Sequence, residues 1–124
     1  MLNIAVWIAS GLLAAVYISA GVIKTARPKP QLMESLPWTE DASPASIKAI
    51  GALEALGAIG LILPWLTGIA PVLTPLAAIG LVIVQAGAIV VHLRRDEAKV
   101  TPFNIALLLI ALFIAIGRFV QLAG

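Results

Sequence analysis

Four long stretches of the chain are almost entirely apolar, and shorter polar stretches separate them. They run approximately over residues 3–23, 44–63, 71–92 and 102–122. Each is close to the roughly 20 residues that a helix needs to cross a bilayer. Their apolar positions are continuous rather than alternating, which favours helices over the strands of a membrane barrel. We therefore predict an all-α integral membrane protein: a four-helix bundle with four transmembrane helices in a single domain, residues 1–124.

Prolines mark several helix boundaries. Ser43-Pro44 and Thr101-Pro102 each have the form of an N-cap followed by proline at the first helical position, where its missing N–H costs nothing. Pro64 is expected to end the second helix. The first apolar stretch has no basic residue before it, so we expect a retained span rather than a signal peptide.

Composition supports the membrane class and removes several functions. Hydrophobic residues make up 61% of the chain and charged residues 11%, against about 25% charged residues in soluble domains. The chain has no cysteine, which excludes disulfide exchange, thiol nucleophiles and thiolate-bound metal or iron–sulfur centres in this chain. We expect no metal site. The formal charge of +2 is too small and too scattered to indicate nucleic-acid binding.

The basic residues predict an orientation, because Lys and Arg concentrate in cytoplasmic loops. Seven of the eight basic residues lie at or near the first and third loops, and only Arg118 lies on the opposite side of the membrane. We therefore expect a multi-pass cell-membrane protein with cytoplasmic loops 24–43 and 93–101 and both termini outside. Trp7 and Trp65 are expected at the outer interface. The basic residues on the cytoplasmic side are Lys24, Arg27, Lys29, Lys48, Arg94, Arg95 and Lys99.

The first loop is rich in proline, which prevents a long helix. Its apolar residues Leu32, Met33, Leu36 and Trp38 are expected to form a short turn at the membrane interface. Two interpretations stay open for this loop: a lipid-facing connector, or a lid over the cytoplasmic mouth of the bundle.

Each apolar stretch carries a few polar residues on one helical face, since residues seven apart lie on nearly the same side. The simplest packing turns these faces inward. Glu54 shares its face with small residues, which let helices approach closely. The polar positions are Ser10, Tyr17 and Lys24 in the first stretch, Glu54 in the second, Gln85 and His92 in the third, and Asn104 and Arg118 in the fourth.

Depth in the membrane decides which of these side chains can meet. At 1.5 Å of rise per residue, Tyr17, Glu54 and Gln85 all lie roughly 10–15 Å from the cytoplasmic side. Lys24, His92 and Asn104 are expected near that surface, and Arg118 in the outer half. We therefore predict a Tyr17, Glu54 and Gln85 cluster rather than a Glu54–Arg118 ion pair.

Glu54 has no cation at its predicted depth, so we expect it to be protonated, to donate a hydrogen bond or to carry a proton. A second interpretation is that Glu54 and the other polar side chains only bond helix to helix. Lys24 and Arg118 are expected to extend their charged ends to the surface. Small residues at Gly11, Ala15 and Ser19, and again at Ala111 and Ala115, also favour a homo-oligomer.

Four short motifs together resemble the DoxX-like branch of the DoxX superfamily of small four-helix membrane proteins. They are "AGVIKT", "IGALEALGAIGLILP", "IVVHLRR" and "IGRF". The resemblance implies a four-span bundle, a place in the bacterial inner membrane and association with quinone-linked oxidoreductases or oxidative-stress proteins. It also implies that Lys24, Glu54, His92 and Arg118 are the signature polar positions.

Two functions remain open. In the first, the chain is a non-catalytic membrane subunit or binding module for a lipophile such as a quinone or lipid, with an oxidoreductase partner. No cofactor is then held within the chain beyond that quinone or lipid. In the second, it is a small isomerase or transporter in which Glu54 carries a proton. The candidate ligand-binding residues are Tyr17, Lys24, Glu54, Gln85, His92 and Arg118.

Overall fold

In a computed structural model, the four apolar stretches form four long helices. They are α1 (Leu2–Ala26), α3 (Pro44–Thr67), α4 (Leu73–Arg94) and α5 (Thr101–Ala123). In the described part of the chain these four helices are long and apolar enough to cross a membrane. The predicted all-α class and the four membrane helices are therefore confirmed, and each helix extends beyond the predicted apolar run at one end or both.

The structure describes the backbone of residues 1–124 and the side chains of all of them except Ser35, Glu40, Asp41 and Val100. The first loop contains the short helix α2 (Lys29–Ser35) and a 3₁₀ turn (37–41). A second 3₁₀ turn (98–100) precedes α5. Throughout, "basic end" means the end of the bundle that carries these two loops, and "terminal end" means the end that carries both chain termini.

The helix ends follow local chemistry, with two departures from the prediction. Thr101 is the first residue of α5 rather than its N-cap. The Ser43 hydroxyl accepts a hydrogen bond from the Ser46 backbone N–H at 3.1 Å, so the predicted N-cap is confirmed. Pro64, however, lies inside α3, which continues to Thr67. Its missing N–H removes one hydrogen bond near the end of the helix, where packing keeps the chain helical. Gly68 then ends α3 in the left-handed conformation, with φ +73°.

The helices form a ring in which α1 packs mainly on α3 and α4 mainly on α5. α1 and α3 approach each other closely at Gly21 and Gly51. A Cβ on Gly21 would lie 2.6 Å from the Gly51 carbonyl oxygen, so the backbones touch there. Near the middle of α5, Ala111 and Ala115 are buried inside the bundle. These two small residues are therefore used in packing within the chain, unlike the exposed Gly11, Ala15 and Ser19.

Candidate functional site

Lys24 and Glu54 form a side-chain ion pair between α1 and α3. Only 3% of the Glu54 side chain and 12% of the Lys24 side chain are exposed. Two predictions were therefore wrong: Glu54 does have a cation at its depth, and the Lys24 ammonium turns into the bundle instead of extending to the surface.

The close approach of α1 and α3 explains why this pair forms. A Cβ on Gly51 would lie 2.7 Å from the Lys24 Cβ, so Lys24 lies level with Gly51, one helical turn from Glu54. Side chains tilt toward the N-terminus of their helix, and the two helices run in opposite directions. The Lys24 and Glu54 side chains therefore point toward each other. Counting residues from the loop missed this register because α1 ends two residues after Lys24, whereas α3 begins seven residues before Gly51, so α3 extends further toward the basic end than α1 does.

Three further polar side chains link α1, α4 and α5. The Asn104 Nδ2 donates to the Gln85 Oε1 at 2.8 Å, and the Gln85 Nε2 donates to the Tyr17 hydroxyl oxygen at 2.6 Å. The predicted contact between Tyr17 and Gln85 is confirmed. Glu54, the third member of the predicted cluster, pairs with Lys24 instead, and Asn104, which was expected nearer the surface, bonds Gln85. Because each buried amide has a partner, the chain of hydrogen bonds fixes these three side chains relative to one another.

The ion pair and the hydrogen-bonded chain line one cavity of about 890 Å³ at the basic end, here called the basic-end cavity. Most of its wall is apolar and comes from α1, α4 and α5. Ile83 and Phe103 belong to the wall although they are 66% and 62% exposed, so the cavity opens to the outside of the bundle. Its polar lining includes Tyr17, Lys24, Glu54, Gln85, His92 and Asn104.

His92 lies at the mouth of this cavity. Its Nδ1 is 3.0 Å from the Glu97 Oε1, and a carboxylate can only accept, so the Nδ1 carries a proton. The hydrogen bond from His92 lowers the pKa of Glu97, and Arg95 acts in the same direction from 3.3 Å. This arrangement ties the end of α4 to the loop that follows it.

The first loop covers the basic end of the cavity. Leu36, Pro37 and Trp38 line it, and the Lys24 ammonium lies 5.7 Å from the centre of the Trp38 ring. Leu32 is only 1% exposed, so the loop packs on the protein. Of the two interpretations of this loop, its position fits the lid.

Arg118 does not belong to this group. It lies at the terminal end, fully buried, so the prediction that it extends to the surface was wrong. Its Nη1 donates to Asn3 and Gln121. The structure thus brings five of the six candidate residues to the basic-end cavity and leaves Arg118 roughly 20 Å away, judged by the fourteen residues that separate it from Asn104 on α5.

Several residues of both regions were not predicted. Glu97 and Trp38 lie in loops, where helical spacing gives no indication of their partners. Trp7 and Trp65 were assigned to the membrane interface, but their rings flank Arg118 with centres 4.8 Å and 4.3 Å from its guanidinium carbon. The presence of two tryptophans near the same membrane depth as an arginine is the sequence signal that indicates such a contact.

Comparison with known proteins gives one family. The protein-family model described as "DoxX-like family" matches residues 8–114 of the 124-residue chain. Lys24, Glu54 and His92 fall within the matched residues, and Arg118 lies beyond them. No curated protein and no solved structure matches this chain.

Proposed function

We propose, from the premise that this chain belongs to the DoxX-like family, that it is a membrane module that binds a lipophile with a polar head. A quinone or a lipid has that form. The observation that carries the proposal is the basic-end cavity, which combines an apolar wall with a fixed polar group in about 890 Å³. That volume lies within the range of roughly 300–1,000 Å³ found for small-molecule sites.

The polar lining offers donors to a carbonyl oxygen. The Tyr17 hydroxyl accepts from Gln85, and none of the described groups accepts the Tyr17 hydroxyl proton. The Lys24 ammonium has three N–H donors and gives one to Glu54. A quinone carbonyl bound between Tyr17 and Lys24 would accept from both.

The charges favour a neutral head. Because Lys24 and Glu54 compensate each other, the cavity has little net charge to attract an ion. The ligand's tail would lie along the apolar wall and leave past Ile83 or Phe103 into the bilayer, where the wall is open. Entry from the membrane would then require no unfolding of the bundle.

We further propose that the basic end faces the cytoplasm, in keeping with the concentration of Lys and Arg there. A redox or oxidative-stress protein on that side would meet the exposed basic residues Arg27, Lys48, Arg94 and Lys99. The chain would act as the membrane subunit that holds the lipophile, and the partner would carry the chemistry.

The test is a titration with decylubiquinone in a neutral detergent, read by the part of the tryptophan quenching that is lost in Trp38→Phe, because Trp38 lines the cavity. Tyr17→Phe removes one donor and should weaken binding by about 1 kcal/mol, or roughly fivefold. Thr74→Val is the matched control, since Thr74 has a buried hydroxyl without a partner, far from the cavity. Equal affinity in all three proteins, or no quenching by the quinone, would contradict the proposal.

A second function is favoured by one observation: the Glu54 carboxylate lines the cavity. There it can take a proton from a bound molecule and later return it, as an isomerase or a proton-linked transporter requires. Glu54→Gln distinguishes the two functions. A transporter or isomerase loses its turnover with this change while lipophile binding persists.

A further inference from the structure

Arg118 has an incomplete set of partners. Its Nη1 is bonded to Asn3 at 2.9 Å and to Gln121 at 2.7 Å. Its Nε and Nη2 are buried and have no hydrogen-bond partner. None of the carboxylates among the described side chains forms an ion pair with it. A guanidinium remains charged in proteins, so this charge is buried without a counterion.

The two unpartnered atoms lie on the same edge of the guanidinium plane. Nε and Nη2 carry parallel N–H groups, the pair that binds both oxygens of a carboxylate or phosphate. Asn3 and Gln121 hold the opposite side, and the Trp7 and Trp65 rings lie 4.8 Å and 4.3 Å from the guanidinium carbon. The cation is therefore held in place, with its two-donor edge unused.

We propose that this edge of Arg118 binds an anionic group with two oxygens, a carboxylate or a phosphate, at the terminal end of the bundle. This site is separate from the basic-end cavity and independent of the function proposed there. Asn3, which accepts from the Arg118 Nη1, is exposed, so the Nη1 side of the guanidinium lies near the surface of the bundle. An anion there supplies the missing counterion and two hydrogen-bond acceptors.

The anion can come from a membrane lipid or from solution, and the test separates these sources. In a Trp38→Phe background only Trp7 and Trp65 remain of the three tryptophans, so fluorescence reports on the Arg118 site. The full chain in a maltoside detergent is titrated with dodecanoate, dilauroyl phosphatidylglycerol and inorganic phosphate, and with dodecanol as the uncharged control. We expect a saturable change with dodecanoate or the phospholipid and none with dodecanol. Saturation by inorganic phosphate at similar concentrations indicates a soluble source, and saturation by the lipids alone indicates a membrane source.

Two variants test the role of the guanidinium edge. Arg118→Lys keeps the charge but loses the parallel donors, and should weaken binding about tenfold or more. Asn3→Asp keeps Arg118 and places a carboxylate beside its Nη1. That carboxylate supplies a counterion, so this variant should also weaken anion binding. Arg94→Lys, an exposed arginine at the basic end, is the matched control and should bind like the parent. A flat response to every anion, or equal affinity in the parent, Arg118→Lys and Asn3→Asp, would overturn the proposal.

Discussion

At the scale of single residues, Lys24 and Glu54 determine the electrostatics of the basic-end cavity. Neither charge has another ionic partner among the described side chains. Two charges removed from water are each expensive to bury, and their attraction offsets that cost only while both are present. Loss of one therefore leaves the other uncompensated beside the apolar wall.

The costs of removing the two charges are therefore expected to be non-additive. Glu54→Gln and Lys24→Gln should each lower the free energy of unfolding by about 3 kcal/mol, since each leaves a buried charge. The double variant should cost clearly less than the sum of the two, because no charge remains unpaired. Denaturant titration of all four proteins in the same detergent measures the difference. Strictly additive costs would show that the pair contributes no coupling.

The inward orientation of the polar residues was predictable from their seven-residue spacing, because one helical face must avoid lipid. Their partners were only partly predictable. Tyr17 and Gln85 meet as depth suggested, whereas Lys24 reaches Glu54 because of a helix register that residue counting does not contain. That register depends on the contact of two glycines, which is a property of the packed pair of helices.

At the scale of helices, the contact between α1 and α3 places the ion pair. A Cβ added to Gly51 would lie 2.7 Å from the Lys24 Cβ and 3.0 Å from the Gly21 carbonyl oxygen, inside normal contact distance. Neither of these two atoms is at the end of a flexible side chain, so the added Cβ would force the two helices apart.

Gly51→Ala should therefore lower the free energy of unfolding by roughly 1–3 kcal/mol, the usual cost of overpacking. Gly80→Ala is the matched control: it is also within a long helix, and nothing lies within 4 Å of its added Cβ. It should be neutral or stabilise by up to about 1 kcal/mol, as alanine favours helix. Denaturant unfolding compares the two. Equal effects would mean that the close approach does not matter to stability.

Helix existence was predictable from apolar length, but helix ends were less so. The Ser43 cap lies where its sequence predicts. Pro64 does not end α3, because proline in the last turn removes few hydrogen bonds and the next residue, Trp65, packs against Arg118. The turn after Thr67 ends the helix instead, through the positive φ of Gly68.

At the scale of the whole molecule, the two ends of the bundle differ. The terminal end closes around Arg118 and two tryptophans, and the basic end opens into a cavity beneath the first loop. The sequence predicts the asymmetry of charge between the ends. It does not predict the asymmetry of packing, which depends on how four apolar helices fit together.

The proposed orientation can be tested because the chain has no cysteine. Single cysteines can be placed at opposite ends of the bundle. Glu34 is exposed on α2 at the basic end, and Thr67 is exposed in the last turn of α3 at the terminal end. In intact cells a membrane-impermeant thiol reagent should label Thr67→Cys and leave Glu34→Cys unlabelled until the membrane is broken. The reverse pattern would place the basic end outside.

Native mass spectrometry of the protein extracted from membranes tests most directly whether the basic-end cavity holds a lipophile. Ala88 lines the cavity, so Ala88→Phe should fill part of it. Ala86 is exposed on the same helix, so Ala86→Phe adds the same ring outside the cavity. We expect wild type and Ala86→Phe to carry the same bound quinone or lipid, and Ala88→Phe to be folded and to carry clearly less of it. Wild type without any bound molecule, or Ala88→Phe that retains it at the wild-type level, would contradict the account.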